Sequence, residues 1–467
     1  MSSLPDLDRL SVAEKDDLIR SLFARVQELT AKVAELEGRL AQDSRNSSKP
    51  PSSEGYGKPK PKSLRTPGQN PTGGQKGHEG HTLKKAERPE HIVTHAPPTI
   101  CDECGSLLLE ATVAETRQVF DLPPTHYEVT EHRVLEARCA CGKWHRGAFP
   151  EGVKAPVQYG PRLKAAVVHL TQHHMLPAQR TADLMGDLAG LPLSDATVLA
   201  AVAEARERLE PTVTAIGQAV IAAPIAHADE SGMRVAGQLH WLHVLATTCL
   251  TWIGIHPNRG KKAFEAFGLL ASFVGTLIQD GWKPYRDLVC KHALCNVHHL
   301  RELTYLFEEM GQSWANRLIE MLLAACQEVE SGASPLPQDR IAHFRTLYLE
   351  IIAEGEAANP RAPPSGKRGR TRQSKAVNLL HRLRTYADDV LRFMTDPGVP
   401  FTNNLAEQAV RMPKVKQKVS GCFRTLTGAQ SFCTLRSYLD TLRKQGANLF
   451  HALTLTFQGT VPQPRFA

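Results

Sequence analysis

The sequence predicts an α/β protein in which a mixed sheet is flanked by helices. Residues 221 to 281 leave the helical period and form short apolar runs, which indicate three strands, a helix and a fourth strand. Helical periodicity dominates before and after this segment, and a heptad pattern and two cysteine pairs precede it. At 467 residues, the chain is long enough for two to four domains.

Composition argues against a membrane protein. No apolar run approaches the ~20 residues of a membrane helix, and the N-terminus lacks an apolar signal core. We therefore expect a cytoplasmic protein whose ten cysteines do not form disulfides. The net charge of +8 is modest, so the distribution of the basic residues matters more than their total.

The N-terminal segment, residues 1 to 42, carries a heptad pattern. β-branched residues occupy mostly one seam position and leucines the other, which favours a parallel dimer. We therefore predict a leucine-zipper coiled coil that forms a homodimer or a higher oligomer. A helix docked on the protein's own surface is the alternative. The seam consists of Ile19, Leu22, Val26, Leu29, Val33, Leu36 and Leu40.

The next segment, residues 43 to 90, is too poor in apolar side chains to bury a core. Residues 45 to 85 hold nine Lys or Arg and two Glu. This composition predicts a basic flexible linker, which could also lie along phosphates.

Residues 91 to 155 contain two cysteine pairs with the spacing of metal ligands. One pair has C-x2-C spacing and the other C-x-C, and each is followed by glycine. This pattern predicts two tight knuckles that hold one structural Zn²⁺ in a zinc ribbon, with strands between them. His145 as a substitute ligand and two unrelated pairs are the alternatives. The predicted ligands are Cys101, Cys104, Cys139 and Cys141.

Residues 156 to 215 return to helical periodicity and predict a helix, a short turn and a second helix. Gly190 is expected to end the first helix, and Ser194 or Asp195 to cap the second. The arrangement is similar to a helix-turn-helix that enters a DNA groove, although helix pairs of this kind are also common in protein cores.

Two aspartates mark the predicted sheet, within residues 216 to 301. The first strand is predicted to end at Asp229 and the fourth at Asp280, and a later acid, Glu407, stands in a basic stretch. Aspartates on neighbouring strands and a helical carboxylate form the arrangement of an RNase H-like nuclease core, whose two metals about 3.5–4 Å apart share carboxylates. Mg²⁺ suits such oxygen ligands. Taken singly, the aspartates could form turns, and Glu407 could pair with Arg411 along a helix.

These motifs together resemble a bacterial DDE transposase of the insertion sequence 66 family. The resemblance implies that Asp229, Asp280 and Glu407 are the catalytic residues and hold two Mg²⁺ (or Mn²⁺) ions per active site. The sequence matches run almost from end to end through NSSKPPS, GGQKGHEGH, the cysteine pairs, HADESG, QDGWKPY, CNVHHLREL and NNLAEQAVRMPKVKQK.

The resemblance also implies how the rest of the chain is organised. A mainly helical insertion, 302 to 398, would interrupt the RNase H-like core, which would resume at 399 to 445 before a C-terminal tail at 446 to 467. Support of the active site is assigned to His298, Arg301, Asn404 and Arg411. Contact with DNA is expected of the basic residues Lys414, Lys416 and Lys418. Arg368 and Arg370 lie in a basic segment, 361 to 375, which could contact phosphates or could be a solvated loop.

Two local expectations concern the motifs that follow Asp280. One asparagine of the pair 403 to 404 is expected to cap a short helix that Pro413 ends. A second zinc site is conceivable in the segment KHALCNVHHLRE, but it lacks the turn glycines of a knuckle. Its candidate ligands are Cys290, Cys295, His298 and His299.

The function that the resemblance implies is DNA transposition. The protein would bind the terminal inverted repeats of its element, cleave DNA to expose a 3′-hydroxyl and join that hydroxyl to target DNA. Accessory proteins of the element are further candidate partners, and the expected location is the cytoplasmic nucleoid. The alternatives are a zinc-containing DNA-binding regulator with an inactive core, and a nuclease without strand transfer.

Overall fold

The computed structural model describes residues 11–40, 84–107, 112–121, 125, 127–332, 335–363, 371 and 373–466. The N-terminal helix α1 spans Val12–Leu40 and leaves its apolar seam exposed, with Ile19 63% and Leu29 50% accessible. The helix is therefore confirmed, and its pairing stays a prediction. Most of the basic linker, as well as Arg368 and Arg370, lies outside the described residues.

The cysteine-containing region has little regular structure. The strands β1 (Glu136–Arg138) and β2 (Trp144–Arg146) pair only with each other, as an antiparallel hairpin. Apart from β1, the described residues between the cysteine pairs form no strand of their own. The prediction of strands there was wrong over most of its length, because these side chains are mostly exposed and have no layer against which to bury one face.

The predicted helix pair is confirmed. Helix α2 (Pro161–Val168) runs into a π-helical turn, His169–His173, and is followed by α3 (Ala178–Ala189) and α4 (Asp195–Ala222). Gly190 ends α3 in the left-handed conformation, with φ of 64°. The Ser194 hydroxyl caps α4 by accepting the Thr197 N–H at 3.1 Å.

The centre of the chain is a mixed five-stranded sheet in the order β5-β4-β3-β6-β7. β3, β4 and β5 pair antiparallel, whereas β6 and β7 run parallel to β3. The prediction of an α/β protein with a mixed sheet is therefore confirmed. The elements are β3 (Ile225–Val235), β4 (Gln238–Ala246), β5 (Thr251–His256), α5 (Lys261–Phe267), β6 (Thr276–Gln279), α6 (Lys283–Arg286) and β7 (Lys291–Leu294).

Strand β3 is longer than predicted. It continues past Asp229 to Val235, where Ala236 and Gly237 reverse the chain with φ angles of 48° and 78°. Asp229 therefore lies in the middle of a strand instead of at its end, because the hairpin to β4 pairs the residues after it as well.

A mainly helical segment separates β7 from the helix that carries Glu407. It contains its own apolar core, in which Trp314, Tyr348 and Leu383 are fully buried. The helical character predicted for the insertion is thus present. Its helices are α7 (Asn296–Glu308), α8 (Ser313–Ser331), α9 (Gln338–Ala358), α10 (Lys375–Thr385) and α11 (Ala387–Thr395).

Helix α12 (Asn404–Ser420) bears Glu407 and packs on β3 and β4. It does not end at Pro413, which lies buried inside it. Nor does an asparagine side chain cap it, since Asn403 at the N-cap makes no side-chain bond to the helix. Both expectations were wrong: tertiary packing holds the helix through the proline, and the Asn403 side chain is used elsewhere.

The C-terminal helices complete the core around the sheet. Helix α13 (Leu426–Lys444) packs against β5 and α4, and α14 (Leu449–Phe457) packs against α2. The segment expected as a tail is therefore anchored by buried side chains such as Leu453. None of the helices in the described ranges combines the length and the apolar character that crossing a bilayer requires.

Candidate active site

The parallel pairing of β3 and β6 brings the two predicted aspartates to neighbouring positions. The paired residues run from Ile225 with Thr276 to His227 with Ile278. The same register, continued by two residues, places Asp229 beside Asp280, which directly follows β6. The parallel pairing therefore leads both aspartates to the same end of the sheet, and the effect of the Asp280 charge on the pKa of Asp229 agrees with their proximity.

The surroundings of Asp229 disfavour its negative charge. The pKa of Asp229 is raised well above its ordinary value, first by burial and then by the charges of Glu230, Asp280 and, most weakly, Glu407. Mutually repelling carboxylates of this kind are stabilised by a cation between them, and their oxygen donors are those that Mg²⁺ prefers. The acid set therefore fits a divalent oxygen-seeking ion.

Backbone groups orient both aspartates. The Glu230 N–H donates to Asp229 Oδ1 at 2.8 Å, and the Trp282 N–H donates to Asp280 Oδ1 at 3.0 Å. Gly281, between Asp280 and Trp282, has a φ of 92°, which glycine adopts without strain. The Asp280-Gly281 pair thus forms a local turn, in addition to the metal-binding role expected of Asp280.

Glu230 follows Asp229 but is held on a different set of partners. Its Oε1 accepts bonds from the Arg259 guanidinium at 2.6 and 2.9 Å, and its Oε2 accepts the Tyr285 hydroxyl at 2.6 Å. The guanidinium lies 4.1 Å from the ring centroid of Trp282. Glu230 therefore links β3 to the segment after Asp280. Sequence reasoning missed this role, because the partners of Glu230, Arg259 and Tyr285, are distant in sequence.

Asn403 connects the strand of Asp229 to the helix of Glu407. Its Nδ2 donates to the Ala228 carbonyl at 2.8 Å, and its Oδ1 lies 3.0 Å from His227 Nδ1. Burial lowers the pKa of His227 to about 4, which keeps this ring neutral. The sequence assignment named Asn404 as the supporting asparagine, but the side chain of Asn404 is exposed and that of Asn403 is buried.

Glu407 contacts a histidine and a cysteine. Its Oε1 lies 3.4 Å from His298 Nε2 and 3.8 Å from Cys295 Sγ. The bond from His298 is the main cause that lowers the pKa of Glu407, and the charges of Arg301 and Arg411 act in the same direction. Glu407 is therefore ionised, and its hydrogen-bond partner is His298 instead of the helix neighbour Arg411.

Glu407 lies in a different cluster of possible metal ligands from the two aspartates of the predicted triad. Within the described ranges, the one group of three metal-binding side chains whose ligand atoms all lie within 4.8 Å of one another is Cys295, His298 and Glu407. Asp229 and Asp280 are outside it, although Glu407 still affects the pKa of Asp229. The second zinc site that the sequence made conceivable, with Cys290 and His299 among its ligands, does not form in the described residues. His299 is buried against Asn296 and Cys290 contacts His292.

Of the predicted DNA contacts on α12, Lys418 is exposed, as is Arg411 nearby. Lys414 instead turns inward, where its Nζ donates to the Gly232 carbonyl of β3 at 3.0 Å. Burial lowers the pKa of both Lys414 and Lys416, and the charge of Asp229 opposes this effect at Lys414. Lys414 therefore belongs to the acid-bearing centre more than to an outer surface.

The cysteine pairs form two separate knuckles. Gly105 and Gly142 adopt φ angles of 73° and 87°, and their N–H groups donate to the carbonyls of Cys101 at 2.9 Å and Cys139 at 2.8 Å. A hydrogen bond from the Ser106 hydroxyl is the main cause that lowers the pKa of Cys104 to about 7. Each pair thus fits zinc as a two-thiolate donor, but the described residues contain no group in which three of these thiols approach within 4.8 Å.

The second helix of the predicted helix-turn-helix is largely a core element. Val198 and Leu209 of α4 are buried, and the helix packs against α13 and β5. Among residues 195 to 210 of α4, the exposed charged residues are acidic, namely Asp195, Glu207 and Glu210, whereas Arg206 and Arg208 are half-buried and paired with glutamates of the same helix. An acidic face repels phosphates, so entry of α4 into a DNA groove stays a prediction that electrostatics disfavour.

The comparisons with protein families place the chain among transposases. Residues 156–431 match the Transposase IS66 family, and residues 98–142 match the zinc-finger binding domain of transposase IS66. Because the first match covers more than half of the chain, this protein belongs to the Transposase IS66 family, which confirms the resemblance stated above. Residues 2–84 match a family of unknown function (DUF6444). No curated protein matches the chain.

Proposed function

We propose that this transposase cleaves and joins DNA strands by a metal-dependent DDE mechanism, with Asp229, Asp280 and Glu407 as its catalytic acids. The observation that carries the proposal is the β3–β6 register, which makes Asp229 and Asp280 neighbours. The effect of Glu407 on the pKa of Asp229 supports its place as the third acid. Two Mg²⁺ (or Mn²⁺) ions bound there would activate water or a 3′-hydroxyl and stabilise the leaving oxygen.

The fold proposed for this centre is an RNase H-like core. Its support is the strand order β5-β4-β3-β6-β7, in which an antiparallel three-stranded meander is extended by two parallel strands. The helical segment between β7 and α12 then corresponds to the insertion, and α12 brings Glu407 back to the strand that carries Asp229.

The surrounding residues have distinct proposed roles. Asn403 and Glu230 position the acid-bearing segments through their buried bonds. His298 holds Glu407 ionised, so that this carboxylate is ready to bind a cation. Arg411 and Lys418, which are exposed on the same helix, contact the DNA backbone.

The outer parts of the chain are proposed to bind and pair DNA ends. The two cysteine knuckles, with β1 and β2, form the cysteine module, which Zn²⁺ holds at its four thiolates. This module and the basic linker contact the terminal inverted repeats. Helix α1 pairs with a second copy of itself. The exposed seam of α1, with Leu22 at 56% and Val26 at 58% accessibility, supports this pairing. The protein would act on nucleoid DNA, with or without accessory proteins of its element.

Two assays in Mg²⁺ test the catalytic proposal, namely cleavage of uncut element ends and strand transfer of pre-cleaved ends, with binding of the repeats measured in parallel. Asp229→Asn and Glu407→Gln are expected to reduce both cleavage and joining at least about a hundredfold, because each removes a direct metal ligand. Glu265→Gln, on an exposed face of α5, is the matched control and should retain activity.

The outcomes separate the alternatives. Full activity of both acid variants would refute the triad. Cleavage without joining by the unchanged chain would indicate a nuclease, and repeat binding without either reaction would indicate a regulator.

A further inference from the structure

We propose that Cys295, His298 and Glu407 form a binding site for a thiophilic divalent ion of the zinc class, and that its occupation withdraws Glu407 from catalysis. The three side chains come from the end of β7, from α7 and from α12. Their ligand atoms all lie within 4.8 Å of one another, and no ligand beyond this chain is needed to assemble them.

Two of the three distances between ligand atoms match tetrahedral zinc. Zinc bonds of about 2.0–2.3 Å at tetrahedral angles place nitrogen and oxygen ligands about 3.4 Å apart, and sulfur and oxygen ligands about 3.6 Å apart. The corresponding distances are 3.4 Å from His298 Nε2 to Glu407 Oε1 and 3.8 Å from Cys295 Sγ to the same oxygen. The third pair, Cys295 and His298, lies within 4.8 Å. A zinc-sized ion therefore fits after small side-chain adjustments that bring this pair to bonding geometry, with a fourth position left for water.

Backbone contacts preorganise the site. The Asn403 N–H donates to Cys295 Sγ at 3.2 Å, and the Asn296 N–H donates to the Phe401 carbonyl at 3.1 Å. Both bonds join the start of α7 to the segment that leads into α12. The sulfur is thus fixed beside the carboxylate, so little side-chain entropy opposes ion binding.

The ligand chemistry separates this site from the proposed magnesium centre. A cysteine sulfur and an imidazole favour zinc-class ions, whereas Mg²⁺ seeks oxygen ligands. Because Glu407 belongs to both sites, a zinc-class ion held by Cys295 and His298 would remove one of the three catalytic acids. The binding stands on geometry alone, but its inhibitory effect rests on the function proposed above.

A cobalt titration of the full chain tests the binding. Co²⁺ bound to a cysteine thiolate gives a charge-transfer absorption. The cysteine module contributes the same absorption to the spectra of wild type and of Cys295→Ser. We expect the difference between their spectra to show one thiolate-bound Co²⁺ per chain, and Cys295→Ser to bind Zn²⁺ in competition at least about tenfold more weakly. Cys290→Ser, a half-buried cysteine of the same segment that contacts His292, is the matched control and should behave as wild type. Identical titrations of wild type and Cys295→Ser would overturn the site.

A second measurement tests the inhibitory effect. Strand cleavage is followed at fixed Mg²⁺ with increasing Zn²⁺, and each protein is compared with its own rate without Zn²⁺. We expect Cys295→Ser to require at least about tenfold more Zn²⁺ for half-inhibition than wild type. Equal inhibition of both would overturn the regulatory role. If the wild type is inactive with Mg²⁺ alone, the proposed function fails, and the cobalt titration still decides the site.

Discussion

The proposed catalytic region, which comprises the five-stranded sheet and its flanking helices, and the cysteine module hold their ligand side chains in opposite ways. In the catalytic region, buried contacts of Asn403 and Glu230 fix the segments that carry the acids. In the module, Cys104, Cys139 and Cys141 are exposed, and the two strands pair only with each other. We infer that the catalytic region folds through its own core, whereas the module depends on its metal ion.

Removal of zinc should therefore affect the module far more than the rest of the chain. Structural zinc sites contribute roughly 10–16 kcal/mol to the folding of small zinc domains. Cys139→Ser is expected to abolish one zinc per chain, and both this variant and a chelator should open the cysteine module to proteolysis, while residues 156–332 and 373–431 stay protected. Zinc content and limited proteolysis measure this, with the exposed Cys422→Ser as control. Simultaneous loss of protection in both regions would contradict the inference that only the module depends on zinc.

The buried ion pair of α13 should be the most sensitive polar contact of the catalytic region. Arg436 and Asp440 are 1% and 2% accessible in their side chains, and Arg436 also donates to the Gln172 carbonyl. Asp440→Ala leaves an uncompensated buried charge and is expected to cost about 3–5 kcal/mol of the free energy of unfolding. Urea denaturation measures the loss.

The matched control for this pair is the exposed ion pair between Arg317 and Glu354 of the insertion. Glu354→Ala should cost at most about 1 kcal/mol, because solvent screens the charges. Similar losses for Asp440→Ala and Glu354→Ala would show that burial does not determine the strength of these contacts.

The two neighbouring asparagines offer a sharper contrast inside the site. Asn403→Ala leaves the Ala228 carbonyl and His227 without their partner and is expected to cost about 1–3 kcal/mol. The strand-transfer rate should fall as well, because β3 and α12 lose their link. Asn404→Ala, at an exposed position, should stay within about 0.5 kcal/mol of wild type. Thermal unfolding and strand-transfer assays measure both, and equal effects would remove Asn403 from its positioning role.

Sequence patterns predicted elements better than they predicted contacts. The helix pair ending at Gly190 and starting at Ser194 could be predicted because caps are local signals. The neighbourhood of Asp229 and Asp280 followed from strand order. The roles of Asn403 and Glu230 could not be predicted, because they depend on partners distant in sequence, Ala228 and Arg259. Pro413 misled the prediction for a related reason: packing on the sheet overrides its local tendency to end a helix.

The smallest effect that we expect is a change in how stability depends on pH at Asp229, which is only partly shielded from solvent. Its raised pKa means that the folded chain without metal binds a proton that the unfolded chain has released. The stabilising contribution is therefore fully present below the ordinary pKa of aspartate and is lost as the pH rises through the higher folded pKa. Asp229→Asn should abolish this loss and be more stable than metal-free wild type near neutral pH.

Thermal unfolding from acidic to neutral pH, with and without Mg²⁺, measures this dependence. Mg²⁺ should stabilise the wild type more than Asp229→Asn, because a bound cation offsets the repulsion among the carboxylates. The module provides the internal control, since its unfolding should respond to chelation of zinc and not to Asp229→Asn. Equal pH profiles for wild type and Asp229→Asn would show that neither burial nor the neighbouring carboxylates raise the pKa of Asp229 in the folded chain, and the proposed magnesium centre would lose its electrostatic support.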